Sequence, residues 1–225
     1  MLPQALDLTQ VRVLGSLIEK ELSTPDHYPL SLNSLVSACN QSSNREPVTA
    51  LASNAVSSAI DTLRRQDLVR SFQGSGERVP KYQHLLTAAA ELSRAELAVL
   101  CVMMLRGPQT LAEVRSRAAR LMPNDDPDAV EAALERLIAR EPDPAAMRLP
   151  RRPGQKEVRY AHLLGGDVAF DVVFEEHFEA QDERSVATRA DSVDRVAALE
   201  TRMQELQLEM ADLRARFEGF RKQFE

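Results

Sequence analysis

Two stretches of the chain carry the same succession of apolar and polar positions, and each predicts three helices followed by a β-hairpin. In the first, Val13, Leu14, Leu17 and Ile18 recur behind Leu6-Asp7-Leu8-Thr9-Gln10. In the second, Val99, Leu100, Met103 and Met104 recur behind Leu92-Ser93-Arg94-Ala95-Glu96. Residues three and four apart share one helical face, so each set predicts a helix with a buried stripe. Asp7 with Gln10, and Ser93 with Glu96, have capping-box spacing, in which two otherwise unpaired backbone N–H groups find side-chain acceptors.

A short capped helix follows in each stretch, at Ser31-Leu32-Asn33-Ser34-Leu35 and at Thr110-Leu111-Ala112-Glu113-Val114. Ser93 stands 86 residues after Asp7, but Thr110 only 79 after Ser31, so the first stretch holds seven extra residues between these helices. They fall in Ser23-Thr24-Pro25-Asp26-His27-Tyr28-Pro29, whose prolines suit a loop. The third helices show buried stripes at Val56, Ile60 and Leu63, and at Val130, Ala133, Leu134, Leu137 and Ile138. Five more extra residues lie before the first of them, in the polar run Asn40 to Val48. Hairpins come next: Leu68–Phe72 out, Gly74-Ser75-Gly76 at the turn and Arg78–Tyr82 back; then Arg148-Leu149-Pro150, Pro153-Gly154 and Val158-Arg159-Tyr160. Glycine supplies the positive φ that such turns need. Each returning strand ends in a shared phrase, Lys81-Tyr82-Gln83-His84-Leu85-Leu86 and Arg159-Tyr160-Ala161-His162-Leu163-Leu164, with the tyrosines 78 residues apart.

Three helices followed by a hairpin is the order of a winged helix-turn-helix. Another compact α+β unit shows the same order, but agreement of element order, lengths and turn in two copies favours the winged helix. The expected fold is therefore mainly α with small β-hairpins (α+β): two tandem winged helix-turn-helix domains, 1–88 and 89–165, an acidic linker over 166–191 and a C-terminal coiled-coil helix over 192–225. Within the linker, Phe170, Val172, Val173, Phe174 and Phe178 are apolar exceptions. In the last segment Val196, Leu199, Met203, Leu206, Met210, Leu213, Phe217, Phe220 and Phe224 alternate steps of three and four. That narrow seam predicts a homo-oligomer, expected to be a dimer, through residues 196–224, with Leu199 to Phe217 at its centre.

The family of bacterial proteins called YceH is resembled at Tyr28-Pro29-Leu30-Ser31-Leu32-Asn33, Ala38-Cys39-Asn40-Gln41, Ser43-Asn44-Arg45-Glu46-Pro47-Val48 and Arg115-Ser116-Arg117-Ala118-Ala119-Arg120. The resemblance runs from about Leu6 to Leu164. It implies two winged-helix domains and carries over no catalytic residue or cofactor.

Composition narrows the chemistry. Aromatic residues make up 4% of the chain and Trp is absent, so the core must be aliphatic. Two cysteines, Cys39 and Cys101, are too few for a disulfide framework. No apolar run reaches bilayer length, and the N-terminus lacks a secretion pattern, so a cytoplasmic, membrane-free setting is expected. A net charge of −6 argues against general polyanion binding, so any nucleic-acid surface must be local. Such a surface is expected at Arg64, Arg65, Arg78 and Lys81 of the first stretch, and at Arg148, Arg151, Arg152 and Lys156 of the second. Against it, Asp125, Asp126, Asp128, Glu131 and Glu135 surround the second stretch's third helix, and carboxylates repel phosphates. No spacing pairs a nucleophile with a base, and no glycine-rich loop opens a helix, so neither catalytic residues nor metal or cofactor ligands are expected. His84 and His162 hold equivalent positions and are expected to tie the hairpin to a helix. Asn44, Arg45 and Glu46 lie in the polar run as a candidate partner-recognition loop, although self-satisfying hydrogen bonds suit such a run better. The leading expectation is a regulatory duplex-DNA-binding protein; the alternative is a protein-interaction adaptor.

Overall fold

The computed structural model describes residues 6–73, 79–122, 128–151 and 155–165. Arg78, Arg152, Asp125, Asp126 and the expected turns lie outside the described residues, as do the linker and the seam from Leu199 to Phe217.

The first half contains α1 (Leu8–Ser23), β1 (Leu30–Ser31), α2 (Leu32–Cys39), α3 (Ser53–Arg65), β2 (Val69–Phe72) and β3 (Lys81–His84). After α4 (Leu86–Ala90), the second contains α5 (Arg94–Arg106), β4 (Gln109–Thr110), α6 (Leu111–Ala118), α7 (Asp128–Ala139), β5 (Ala146–Arg148) and β6 (Arg159–His162). The fold is mainly helical with small antiparallel sheets. Both anticipated capping boxes form: Gln10 N donates to Asp7 Oδ1 at 2.8 Å, and Ser93 N donates to Glu96 Oε2 at 2.8 Å. A third joins Thr110 and Glu113 at the start of α6. The stripes of α3 and α7 point inward, with Val56, Ile60, Leu63, Val130, Ala133, Leu134 and Leu137 all buried.

Two features depart from the expected element list. α4 straddles the boundary expected between residues 88 and 89. The hairpins also gain a third strand each, giving sheet orders β1-β3-β2 and β4-β6-β5. Leu30 pairs with Tyr82, and Gln109 with Tyr160. A two-residue strand has no alternation to read, and its partner lies some fifty residues away.

The halves share one core. α1 is buried from Gln10 to Glu19 and α5 from Leu97 to Leu105, all the way round, because each helix has its own half on one side and the other half opposite. They approach closely at Gly15, whose carbonyl accepts from Cys101 Sγ at 3.4 Å. A Cβ there would stand 3.0 Å from Leu105 Cδ2 and 3.2 Å from Met104 Cβ. The ends also meet: Leu6 N donates to Leu164 O at 3.0 Å. Among the described residues no helix is long and apolar enough to cross a membrane.

Candidate functional site

α3 turns Asn54, Asp61, Arg64 and Arg65 outward, with Ser57 half-buried. Arg64 Nη1 lies 3.5 Å from Asp61 Oδ1, an exposed pair that water screens heavily. Arg65 donates to Thr62 Oγ1 at 2.8 Å. Lys81 opens β3 and is half-buried, while Arg70 of β2 faces out.

On the second ribbon the arginines divide into two groups. Arg148 lies over the Tyr160 ring, 5.7 Å from its centroid, and donates to Tyr160 Oη at 3.3 Å. Arg159 turns back, donating to Pro108 O at 3.0 Å and lying 3.5 Å from Glu113 Oε2. Arg151 and Lys156 are exposed, with Glu157 beside Lys156 in the chain. On α7, Glu131 pairs with Arg115 at 3.5 Å while Glu135 stays exposed, so one of these carboxylates is offset and one is not.

The polar run before α3 performs a task that the sequence did not disclose. Arg45 is buried, and all five of its N–H groups are engaged. Nη1 and Nη2 reach Glu19 at 3.1 and 2.6 Å, Nη1 also reaches Asn44 O at 2.8 Å, and Nε and Nη2 reach Ala38 O at 3.0 and 2.7 Å. No donor of Arg45 is left for a partner; its guanidinium instead clamps the run to α1 and to the end of α2. Asn44 Oδ1 accepts from Arg106 Nη2 at 2.7 Å, and Glu46 N donates to Leu105 O at 2.9 Å, so the run also ties the first half to α5. Arg12, likewise buried, donates to Pro47 O at 2.7 Å; burial first, then the nearby Arg45 charge, hold its guanidinium below the ordinary range.

The equivalent histidines differ. His84 Nε2 meets the Glu21 carboxylate, tying β3 to α1, and this hydrogen bond holds Glu21 below the usual carboxylate range. His84 N donates to Tyr28 Oη at 2.7 Å, and burial pushes that phenol upward. In the second half the position of Glu21 falls on Gly107, whose φ of 66° ends α5 three residues earlier in the repeat than α1 ends. His162 therefore has no matching carboxylate. Its Nδ1 is buried without a partner, and burial pushes the imidazole down to about 4. Because the unfolded ring titrates near 6.5, it takes up a proton that the folded ring refuses. His162 thus supports folding above about pH 6.5, and that support is lost as pH falls towards 4. Denaturation of the wild type and His162→Asn at several pH values should show a shallower acid loss in the variant. Parallel curves would contradict the burial of this ring.

Burial also raises both thiols, Cys39 and Cys101, which suits core packing rather than nucleophilic chemistry. Among the described residues, no group of three or more His, Cys, Asp or Glu is placed to hold a metal.

The family described as "Protein of unknown function, DUF480" matches residues 6–155. A UPF0502 protein of Pelobacter propionicus is 48% identical over 220 residues, 98% of each chain. One from Azoarcus is 48% identical over 98% of this chain and 94% of its own, and one from Geobacter sulfurreducens is 48% identical over 98% of both. With a match across most of the described fold and relatives similar over nearly their whole length, the chain belongs to the DUF480 family, whose bacterial members here carry the name UPF0502.

Proposed function

We propose that this protein binds duplex DNA in a regulatory role, through two winged helix-turn-helix modules brought together in pairs by the seam at Leu199, Met203, Leu206, Met210, Leu213 and Phe217. Element order supports the winged-helix reading, since each half has three helices and a small sheet whose central strand returns from the hairpin. In such modules the third helix enters a groove and the hairpin lies along the backbone. The observation that carries the reading is the second ribbon, which displays Arg148, Arg151 and Lys156 outward with Glu157 as the one acid among its described residues. α3, with Asn54, Arg64 and Arg65 outward, suits a groove better than α7 with Glu131 and Glu135. The proposal thus divides labour: reading by the first half, phosphate contact by the second. It assigns no catalytic residue.

Arg151→Glu with Lys156→Glu should weaken duplex binding at least tenfold. The slope of log affinity against log salt should flatten by roughly 0.9 for each phosphate that is no longer neutralised. Fluorescence anisotropy of a labelled duplex across a salt series measures both. Unchanged affinity and slope would remove the second ribbon from the interface.

A second reading, the protein-interaction adaptor, draws on one observation. On the first hairpin Phe72 and Val79 are 53% and 55% exposed, an apolar pair where a phosphate-tracking wing would carry charge. It predicts partner capture that survives nuclease and is lost in Phe72→Ser, with the charge reversals without effect.

A further inference from the structure

Two grooves occupy the same place in the two halves, between the last turns of the first helix and one side of the second. The first, of about 640 Å³, includes Lys20, Ser34, Ser37, Ala38 and Gln41 in its lining. The second, of about 490 Å³, is lined by Arg106, Ala112, Glu113, Ser116, Arg117 and Arg120. The repeat offsets of 86 residues for the first helix and 79 for the second superpose these sets. Arg106 falls on Lys20, Glu113 on Ser34, Ser116 on Ser37, Arg117 on Ala38 and Arg120 on Gln41. The same groove therefore carries one cation at these positions in the first half and three in the second. The first groove's remaining lining adds Lys81 but also Asp26.

The second groove holds its arginines ready. Arg106 is anchored through one nitrogen by Asn44 Oδ1 at 2.7 Å. Arg117 is oriented by Gln109 Oε1 and by Glu113 Oε1, the latter at 3.2 Å. Gln109 is itself buried and fixed by donating to Val102 O and Gly107 O, both at 3.1 Å. Arg120 is exposed and pairs with no acid among the described residues. Glu113 alone offsets three guanidiniums within the lining, leaving a net charge of +2. Burial first, then the charge of Arg117, hold Arg106 below the ordinary range, and Glu46 opposes them. An anion bearing two charges would offset the net charge of the lining. Guanidinium groups fork onto phosphate oxygens, and Ser116 offers a further hydroxyl.

We propose that this groove binds a phosphoryl group through Arg106, Arg117 and Arg120, with the Ser116 hydroxyl beside them. The group belongs either to a free phosphorylated small molecule or to a nucleic-acid backbone, and the chemistry of capture is the same. Because Arg106 is held by Asn44 of the first half, occupancy braces the contact between the halves. The groove uses none of the residues of the second ribbon, and only its backbone-phosphate arm rests on the duplex reading.

The test uses the full chain and two probes at matched ionic strength: pyrophosphate by calorimetric titration with chloride as control, and a labelled duplex by anisotropy. Arg120→Ala removes one charge-assisted contact and should weaken the responding probe about tenfold. Gln41→Ala, at the matching place in the first groove, should leave it unchanged. Arg120 is exposed, so both variants should keep the wild-type melting temperature. Saturable pyrophosphate binding weakened by Arg120→Ala, with duplex affinity intact, identifies a free phosphorylated ligand. Duplex affinity weakened by Arg120→Ala, without saturable pyrophosphate binding, identifies a backbone phosphate. If Arg120→Ala weakens neither probe, or if Gln41→Ala weakens it equally, the proposal falls. That result leaves the duplex reading standing wherever Arg151→Glu with Lys156→Glu still weakens duplex binding.

Discussion

Arg45→Met should lower the unfolding free energy by about 3–5 kcal/mol, the range expected when one member of a buried ion pair is removed. Arg45 and Glu19 are 4% and 6% exposed, so bulk water cannot stand in for either partner. Without the guanidinium, the Glu19 carboxylate loses bonds of 2.6 and 3.1 Å and keeps Lys20 at 3.6 Å. The Ala38 carbonyl, in the last turn of α2, loses both of its Arg45 donors. A helix-end carbonyl has no partner within its own helix, so this second loss adds to the first. The paired substitution Glu19→Leu with Arg45→Met should recover part of the loss, because the cost of desolvating the pair disappears along with the pair. Chemical denaturation of the two single variants and the double variant measures the coupling, which should exceed the roughly 0.5 kcal/mol scatter of independent sites. Additivity within that scatter would mean that the two groups do not act as a pair.

Gly15→Val should destabilise by about 3 kcal/mol, the upper part of the range for overpacked cores. The Cβ alone would meet Leu105 Cδ2 at 3.0 Å and Met104 Cβ at 3.2 Å. Leu105 can turn its branched end away, but a Met104 Cβ moves only with the α5 backbone. Replacing glycine within a helix returns up to about 1 kcal/mol of propensity for Ala and less for Val. Gly15→Ala should therefore lie near neutral, while Val adds two methyl groups to a contact that is already too close. The same denaturation experiment decides it. A Gly15→Val protein as stable as the wild type would show that α1 and α5 separate at little cost.

Both effects sit at the junction of the halves, and neither is legible in the chain. The polar run Asn40 to Val48 reads as a surface loop because its residues are those that satisfy their own backbone. Its arginine instead crosses 26 residues to Glu19, a pairing that local spacing does not announce. α1 reads as a helix with one apolar stripe. Its polar Gln10, Arg12, Ser16 and Glu19 belong to buried surface facing the other half and the run before α3. The groove of Arg106, Arg117 and Arg120 is similarly hidden. Arg117 lies on α6, Arg120 just past its end and Arg106 at the end of α5, and only the folded chain brings them round one space.

Local sequence accounts for the helices, their starts and their inward faces. Those features depend on interactions spanning three or four residues: a cap that reaches back one turn, or an apolar stripe that repeats with the helical period. It accounts also for the repeated order of elements, because the same local signals recur. What lies against what was settled only by folding. The third strand of each sheet, the close crossing at Gly15, the Arg45–Glu19 clamp and the unequal surroundings of His84 and His162 all depend on shape and charge matched across tens of residues. Periodicity carries no record of such matches, since their free energy appears only once the chain has closed on itself.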